Sequence, residues 1–324
     1  MSYNLIVCYK VAYYTEKSYM VDYIQQASGL QHISHAEIEK RIFQHRLFGL
    51  DSLQEHLFRF CKAVITADTQ RVKEFIFYDL VPSILLCGPP NTGKTTLCHL
   101  LFDRLKKEVT NEINFYTIDI GKMLDPALGQ SSRNLEQAFE DLRKICSDDS
   151  SAFLVLDELD SFCMSRSRVQ EHDAIRRAMT TLILELDRLH PSSSKKMIML
   201  GITNVDNLID TAVIRRFSLK YSVDANLCWD DFCVYIKYLS QPINYTPQEQ
   251  DLKQLYDIYK RRAFKSGDIK TLYKNLLIDV ICEDKEISIR DKLFKLFEES
   301  FSTDEHLNIT YGEFTNGRQR MANR

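Results

Sequence analysis

The nine residues "GPPNTGKTT" at 88–96 restrict the fold of this chain more than any other stretch. They follow the apolar run "VPSILLCG" (81–88), and their last residues open the helical pattern "TTLCHLLFDRLKK". Gly88, Gly93, Lys94 and Thr95 stand at the spacing G-x-x-x-x-G-K-S/T. A loop of that kind between a buried strand and a helix brings its own amides and the helix N-terminus to one point, where they can hold phosphate oxygens. A plain strand-to-helix turn is the competing reading.

Four further β-like runs follow the same logic: "NFYTIDI" (114–120), "AFLVLDE" (152–158), "MIMLGITN" (197–204) and "LKYSV" (219–223). The central runs are apolar almost without interruption, which requires strands buried on both faces, hence a parallel sheet covered by crossover helices. The expected fold is an α/β three-layer domain over 43–223. Past Val223 the pattern is helical only, in "WDDFCVYIKYLS", "PQEQDLKQLYDIYKRRAF", "GDIKTLYKNLLIDVICE" and "SIRDKLFKLFEESF", which predicts an all-α domain over 224–308. Residues 1–42 read as a short helical segment with six tyrosines by position 23, suited to packing or to docking a partner, and 309–324 as a polar tail.

Within the phosphate loop, residues Gly88, Pro89, Pro90, Asn91, Thr92, Gly93, Lys94, Thr95 and Thr96 form the candidate nucleotide cradle. Lys94 is expected on the β and γ phosphates and the Thr95 hydroxyl on Mg²⁺. The run "FLVLDELD" delivers Asp157 and Glu158 at the C-terminal end of a strand, where open α/β sheets bind ligands. Asp157 is the second expected metal-shell residue. Glu158 is the expected base for an attacking water, which separates a hydrolytic site from one that only binds nucleotide. Asp160 is expected to be solvated. Asn204 ends another buried run; a strand lying between the 81–88 and 152–158 runs would aim its amide at the γ phosphate or the water, although an Asn after a strand is also an ordinary turn residue. Arg215 and Arg216 follow eleven and twelve residues later. In a lone chain they would be surface charges.

These residues together resemble the AAA (AAA+) ATPases, a family of P-loop NTPases that form hexameric rings, over about 45–285. "LFGLDSLQEHL" (47–57), with Gly49 and Leu50, resembles the family's adenine-contacting linker. "GPPNTGKT" and "LVLDE" resemble its Walker A and Walker B motifs, Asn204 its sensor 1, and "RRAMTTLILELD" (176–187) one of its helices. "RRF" (215–217) resembles the paired arginine fingers of the group containing katanin and spastin, and "KSGDIKTL" the sensor 2 region, with Gly267 where other members carry arginine. The resemblance implies one ATPase module with a helical lid, ATP and Mg²⁺ as ligands, Gly49, Leu50 and Gly267 among the nucleotide contacts, and a homo-hexamer. In such a ring Arg215 and Arg216 reach the neighbouring subunit's nucleotide.

The chain departs from the family where a pore loop would carry an aromatic residue: Pro126, Ala127, Leu128, Gly129, Gln130 and Ser131 stand there. Arg166 and Arg168, near a second pore loop, suit an acidic segment or plain solvation equally. Three functions follow: an ATP-driven remodeller of a protein partner, of which a bacterial HORMA-remodelling enzyme is one form; a nucleotide-switched oligomeric scaffold that threads nothing; and a nucleic-acid-linked ATPase. A net charge of -3 and the lack of a basic, aromatic face count against the last. Nine scattered cysteines without a CxxC, and no apolar stretch of bilayer length, lead to the expectation of a cytoplasmic chain with reduced thiols and no membrane span.

Overall fold

Six strands make one sheet, and five of them are the apolar runs identified above. In the computed structural model they are β1 (Leu30–Ile33), β2 (Ser83–Cys87), β3 (Glu112–Asp119), β4 (Ser150–Asp157), β5 (Met197–Thr203) and β6 (Leu219–Ser222), in the spatial order β1-β3-β4-β5-β2-β6. The structure describes residues 29–43, 45–123, 130–146, 150–161, 169–188, 196–204, 209–224, 226–282, 288–300 and 302, with backbone alone for 169–174. β2 to β6 are parallel, as the continuous apolar runs require. β1 is not: it pairs antiparallel with β3, Leu30 opposite Ile118. It lies within the segment 1–42 expected to be short and helical, which it corrects, and it adds one antiparallel edge strand to the expected parallel sheet. "LQHI" buries its two ends, Leu30 and Ile33, around the more open Gln31 and His32, too short a run to stand out in sequence.

The chain divides into two compact units, the first being 1–45, 53–88 and 94–222. Its sheet is covered on both faces. On one, α4 (Lys94–Glu108), which follows α1 (His35–Ile42), α2 (Asp51–Ile65) and α3 (Thr69–Phe77), sets Phe102 edge-on to Phe115 and Phe153, with ring centroids 5.2 and 5.8 Å away. On the other, Tyr116, Ile118, Leu154 and Leu156 share a core with Phe139 and Leu142 of α6 (Gln130–Ile145) and with Leu182 and Leu186 of α7 (Val169–Asp187). The short α5 (Ile120–Met123) leads out of β3. Each fully buried ring or leucine contributes about 1.5–3 kcal/mol, so this doubly covered sheet is the main source of the unit's stability.

His99 of α4 lies in that core, 8% exposed and 5.4 Å from the Phe115 ring. Burial, with Arg41 adding to it, pushes its pKa down to about 4. The folded chain therefore keeps His99 neutral where the unfolded chain, with a histidine pKa near 6.5, takes up a proton. Stability is expected to be unaffected by this group above about pH 6.5 and to fall progressively between there and pH 4, by about 3 kcal/mol in total. Urea unfolding of His99→Phe should show a shallower loss between pH 7 and 4.5 than the wild type; parallel curves would refute the assignment.

The second unit comprises 46–52, 89–93 and 223 onward. Its helices are α9 (Trp229–Ser240), α10 (Glu249–Arg262), α11 (Ser266–Cys282) and α12 (Ile289–Glu299), after the four-residue α8 (Thr211–Ile214) of the first unit. Phe232, Leu255, Ile269, Leu276, Leu293 and Phe297 fill its core. The four helical stretches expected from sequence are all present. The inclusion of 46–52 and 89–93 differs from a simple division near 223: Phe48 packs at a tilt against Tyr235 with centroids 4.8 Å apart, and Asn91 is held by α11. Among the described residues no helix is long and apolar enough to cross a membrane. The tyrosine-rich N-terminus, residues 126–129, Arg166, Arg168 and the tail past 302 lie outside the described residues.

Candidate functional site

In a parallel sheet every strand delivers its C-terminal residue to the same edge, and here that edge collects the chemistry. β5 lies between β2 and β4, and the register aligns Cys87 with Thr203 and Asp119 with Asp157. Gly88, Asp119, Asp157, Glu158 and Asn204 therefore leave the sheet together. Such an edge, where the strand order departs from sequence order, is where open α/β sheets bind ligands.

Lys94 begins α4 and is only 5% exposed, with its ammonium donating to the Gly88 carbonyl at 2.7 Å. Burial lowers its pKa to about 8, against the pull of Asp160 and Asp157, which favour the charged form. A polyphosphate would restore the full positive charge that burial opposes. Thr95, next in the chain, is exposed. The Asp157 carboxyl is raised above its usual range, first by burial and also by Asp119, while the Glu158 amide, donating at 2.9 Å, opposes the shift. A partly desolvated carboxylate crowded by a second one is a ready ligand for a hard cation, whose charge relieves both. The oxygen donors of Thr95 and Asp157 fit Mg²⁺.

Glu158 sits at φ +56°, in the left-handed region that residues with a side chain rarely adopt. That turn directs its carboxylate toward Gly121, where an added Cβ would come within 2.7 Å of Glu158 Oε2 and 3.3 Å of Asp119 Oδ1. Gly121 is therefore the space that Glu158 uses. The Ser161 hydroxyl donates to Oε2 at 3.5 Å, and Glu158 is exposed, open to a water. Asp160 is not simply solvated as expected: its Oδ1 accepts the Asn204 amide at 3.3 Å and ties the ends of β4 and β5. Asn204 is thereby placed beside Glu158's own turn.

Asp119 and Gly121 escaped the sequence reading. The available signal was the phase of "NFYTID" against "AFLVLD", two β-like runs that both end in Asp. Asp119 is bound to its own loop, accepting from Lys122 Nζ at 2.9 Å and from the Lys122 amide at 3.2 Å.

In the second unit, the tip of the phosphate loop folds on itself. Thr92 Oγ1 donates to the Pro89 carbonyl at 2.9 Å, and Asn91 (φ +63°) and Gly93 (φ +90°) are both left-handed. At 93 only glycine fits, because a Cβ would also lie 2.6 Å from Leu47 Cδ2. Pro90 and Thr96 are half-buried, and Gly49, backed by Leu227, precedes the buried Leu50. Gly267, expected as a nucleotide contact, donates its amide to the Asn91 carbonyl.

Arg215 and Arg216 leave α8, whose first amides Asp210 caps. Arg216 is held by Asp187 at 3.0 and 3.3 Å. Arg215 is exposed and has no ion-pair partner among the described residues. Both line a cavity of about 530 Å³ with Ile76 and Leu186.

Residues 84–225 match the family model "ATPase family associated with various cellular activities (AAA)". Spastin of Xenopus tropicalis is 26% identical over 243 residues, covering 74% of this chain and 36% of that protein. An "AAA ATPase forming ring-shaped complexes" of Corynebacterium glutamicum is 26% identical over 208 residues, 60% of this chain and 39% of that one. The chain thus spans little more than a third of the length of these relatives. Among solved structures, a chain of the E. coli MS115-1 HORMA:CdnC:Trip13 complex superposes with a TM-score of 0.69 at 17% identity, covering 84% of this chain and 95% of that chain. The FIGL-1 AAA domain does so with a TM-score of 0.62 at 16% identity, covering 91% and 94%. At such identities the two superpositions speak to the fold alone.

Proposed function

We propose that this chain, which carries a single AAA module with its match at residues 84–225, hydrolyses Mg-bound ATP as a cytoplasmic homo-oligomeric ring, hexameric by family resemblance, and uses the cycle to remodel or disassemble a protein partner. One observation carries the reading: a buried lysine at the start of α4 stands at the same sheet edge as a desolvated aspartate and an open glutamate, which follow one another at the end of β4. Lys94 binds the β and γ phosphates, with the loop amides of 88–95 and the N-terminus of α4 supporting it. Thr95 and Asp157 would hold Mg²⁺, which when bound would supply positive charge to the phosphate oxygens. Glu158 takes the proton of the attacking water, and the Asn204 side chain orients that water. Gly49 and Leu50 receive the adenine. Arg215, without an ion-pair partner among the described residues, reaches the γ phosphate of the adjacent subunit; Arg216 supports it from its pair with Asp187.

The partner is read from relatives. The solved assembly in which a similar chain stands with a HORMA protein makes a HORMA-domain protein the first class to test. A second reading, a nucleotide-switched scaffold that threads nothing, is favoured by the missing aromatic at 126–131. Nucleic acid is not expected as a partner. Purified protein should turn over ATP only with Mg²⁺, with specific activity rising as subunits assemble. Lys94→Ala should lower ATP affinity by about a hundredfold, as loss of a charge-assisted contact at a desolvated site predicts. Isothermal titration with an ATP analogue measures this; wild-type affinity in the variant, or no turnover by the assembled wild type, would refute the reading.

A further inference from the structure

The tip of the phosphate loop is gripped by the first turn of α11. The Gly267 amide donates to the Asn91 carbonyl oxygen at 3.1 Å. Amides in the first turn of a helix have no acceptor within their own helix, so this one is available for a partner elsewhere in the chain. Contact is closer than the hydrogen bond alone suggests. A Cβ at 267 would lie 2.5 Å from Asn91 Cβ, 2.6 Å from the Asn91 carbonyl oxygen and 3.1 Å from Asn91 Cα. The last two atoms are backbone and cannot swing aside.

Gly267 is not among the positive-φ glycines, so its backbone would accept an ordinary residue. Glycine is required there for space. The donor end is also firmly built. Asp268 is buried and its carboxylate accepts the Lys265 amide at 2.9 Å, Lys265 reaches Asp224 at 3.0 Å, and Tyr235 donates to the Ser266 carbonyl at 2.9 Å. The acceptor end is the less common one: Asn91 is left-handed, a conformation asparagine tolerates better than most residues but does not adopt by default.

We propose that Gly267 is a positioning residue for nucleotide binding, acting through Asn91. Its amide and its missing side chain fix Asn91 in the left-handed conformation, and so fix the path of the loop between Gly88 and Lys94 that the phosphates must occupy. The loop tip and the first turn of α11 then share one joint within the second unit, at the position where the family resemblance placed a direct nucleotide contact. The inference rests on the nucleotide-site reading above.

Gly267→Ala tests it with an unusual sign. In an unencumbered helical first turn alanine is the better residue, so the substitution should stabilise the helix; here it should weaken binding of a non-hydrolysable ATP analogue with Mg²⁺ to the full chain by about tenfold or more, while turnover at saturating ATP changes by less than about threefold. Asn91→Gly added to that variant removes one colliding atom and frees the backbone, and should recover part of the lost affinity. Unchanged affinity in Gly267→Ala, with the wild type binding, overturns the joint and leaves the nucleotide site standing. A wild type that does not bind the analogue overturns the nucleotide site itself. Should Gly267→Ala fail to fold, amide exchange of the wild type decides: the Gly267 amide should exchange about tenfold or more slowly than an unprotected amide, and exchange at the unprotected rate overturns the joint.

Discussion

Glu158→Gln is expected to lower ATP turnover by about 10²- to 10⁴-fold while leaving ATP affinity within about twofold of the wild type, the range lost when a general base is removed without disturbing the ground state. The exchange keeps the shape of the side chain. Glutamine fits the space left by Gly121 and can still meet the Ser161 hydroxyl, so the left-handed turn at φ +56° has no new reason to relax. Only the ability to take a proton from water is lost. Single-turnover hydrolysis, measured beside equilibrium binding, separates the two quantities. Turnover near the wild-type rate would remove Glu158 from the role of base, and a matched loss of affinity would make it a binding residue. The same variant holds ATP without consuming it, so it should retain a protein partner that the wild type releases. A variant that binds ATP and assembles, yet never holds a HORMA-domain or other protein partner, would favour the scaffold reading.

Strands buried on both faces are legible in a sequence because each of their residues must be apolar, and β2, β4 and β5 were found for that reason. The phosphate loop was legible because its chemistry is local: spacing along the chain fixes where Lys94 and Thr95 stand. What was hidden depends on neighbours far away in sequence. Asp119 matters because the β3–β4 register sets it opposite Asp157, and Gly121 because Glu158 turns back onto it. Asp160 looked like a solvated charge since nothing in "LDELD" indicates that the Asn204 amide will meet it. Gly267 shows the same limit from the other side. Its identity was noticed, but the reason for it, the backbone of Asn91 closer than any side chain would allow, exists only in three dimensions. β1 escaped because an edge strand of four residues carries too little pattern to compete with the helical signal that follows.

Arg215→Ala is expected to have the largest effect of all, a loss of about 10³- to 10⁵-fold in turnover, which is the contribution of an arginine supplied to a breaking phosphoanhydride from outside its own site. ATP affinity should change little, because the arginine acts on charge that develops only as the phosphoanhydride breaks. The two arginines of "RRF" are not equivalent. Arg216 is spoken for within its own chain, bound to Asp187 and to the Ala212 carbonyl, so Arg216→Ala should also disturb the fold around α8. Arg215 is exposed on the wall of the 530 Å³ cavity, next to Ile76, which is 54% exposed and apolar, as expected of a surface that a second subunit covers. A mixing experiment distinguishes a residue acting across an interface from one acting at home. At an ATP concentration that fills the wild-type site but not one about a hundredfold weaker, Lys94→Ala chains keep Arg215 but leave their own site empty, whereas Arg215→Ala chains bind ATP but lack the arginine. Each alone should be inactive. Mixed and allowed to reassemble in equal amounts, they place an intact arginine against an intact site at about a quarter of the interfaces of a closed ring, and turnover should reappear in proportion. If the mixture stays as inactive as its parts while assembling normally, Arg215 acts within its own subunit.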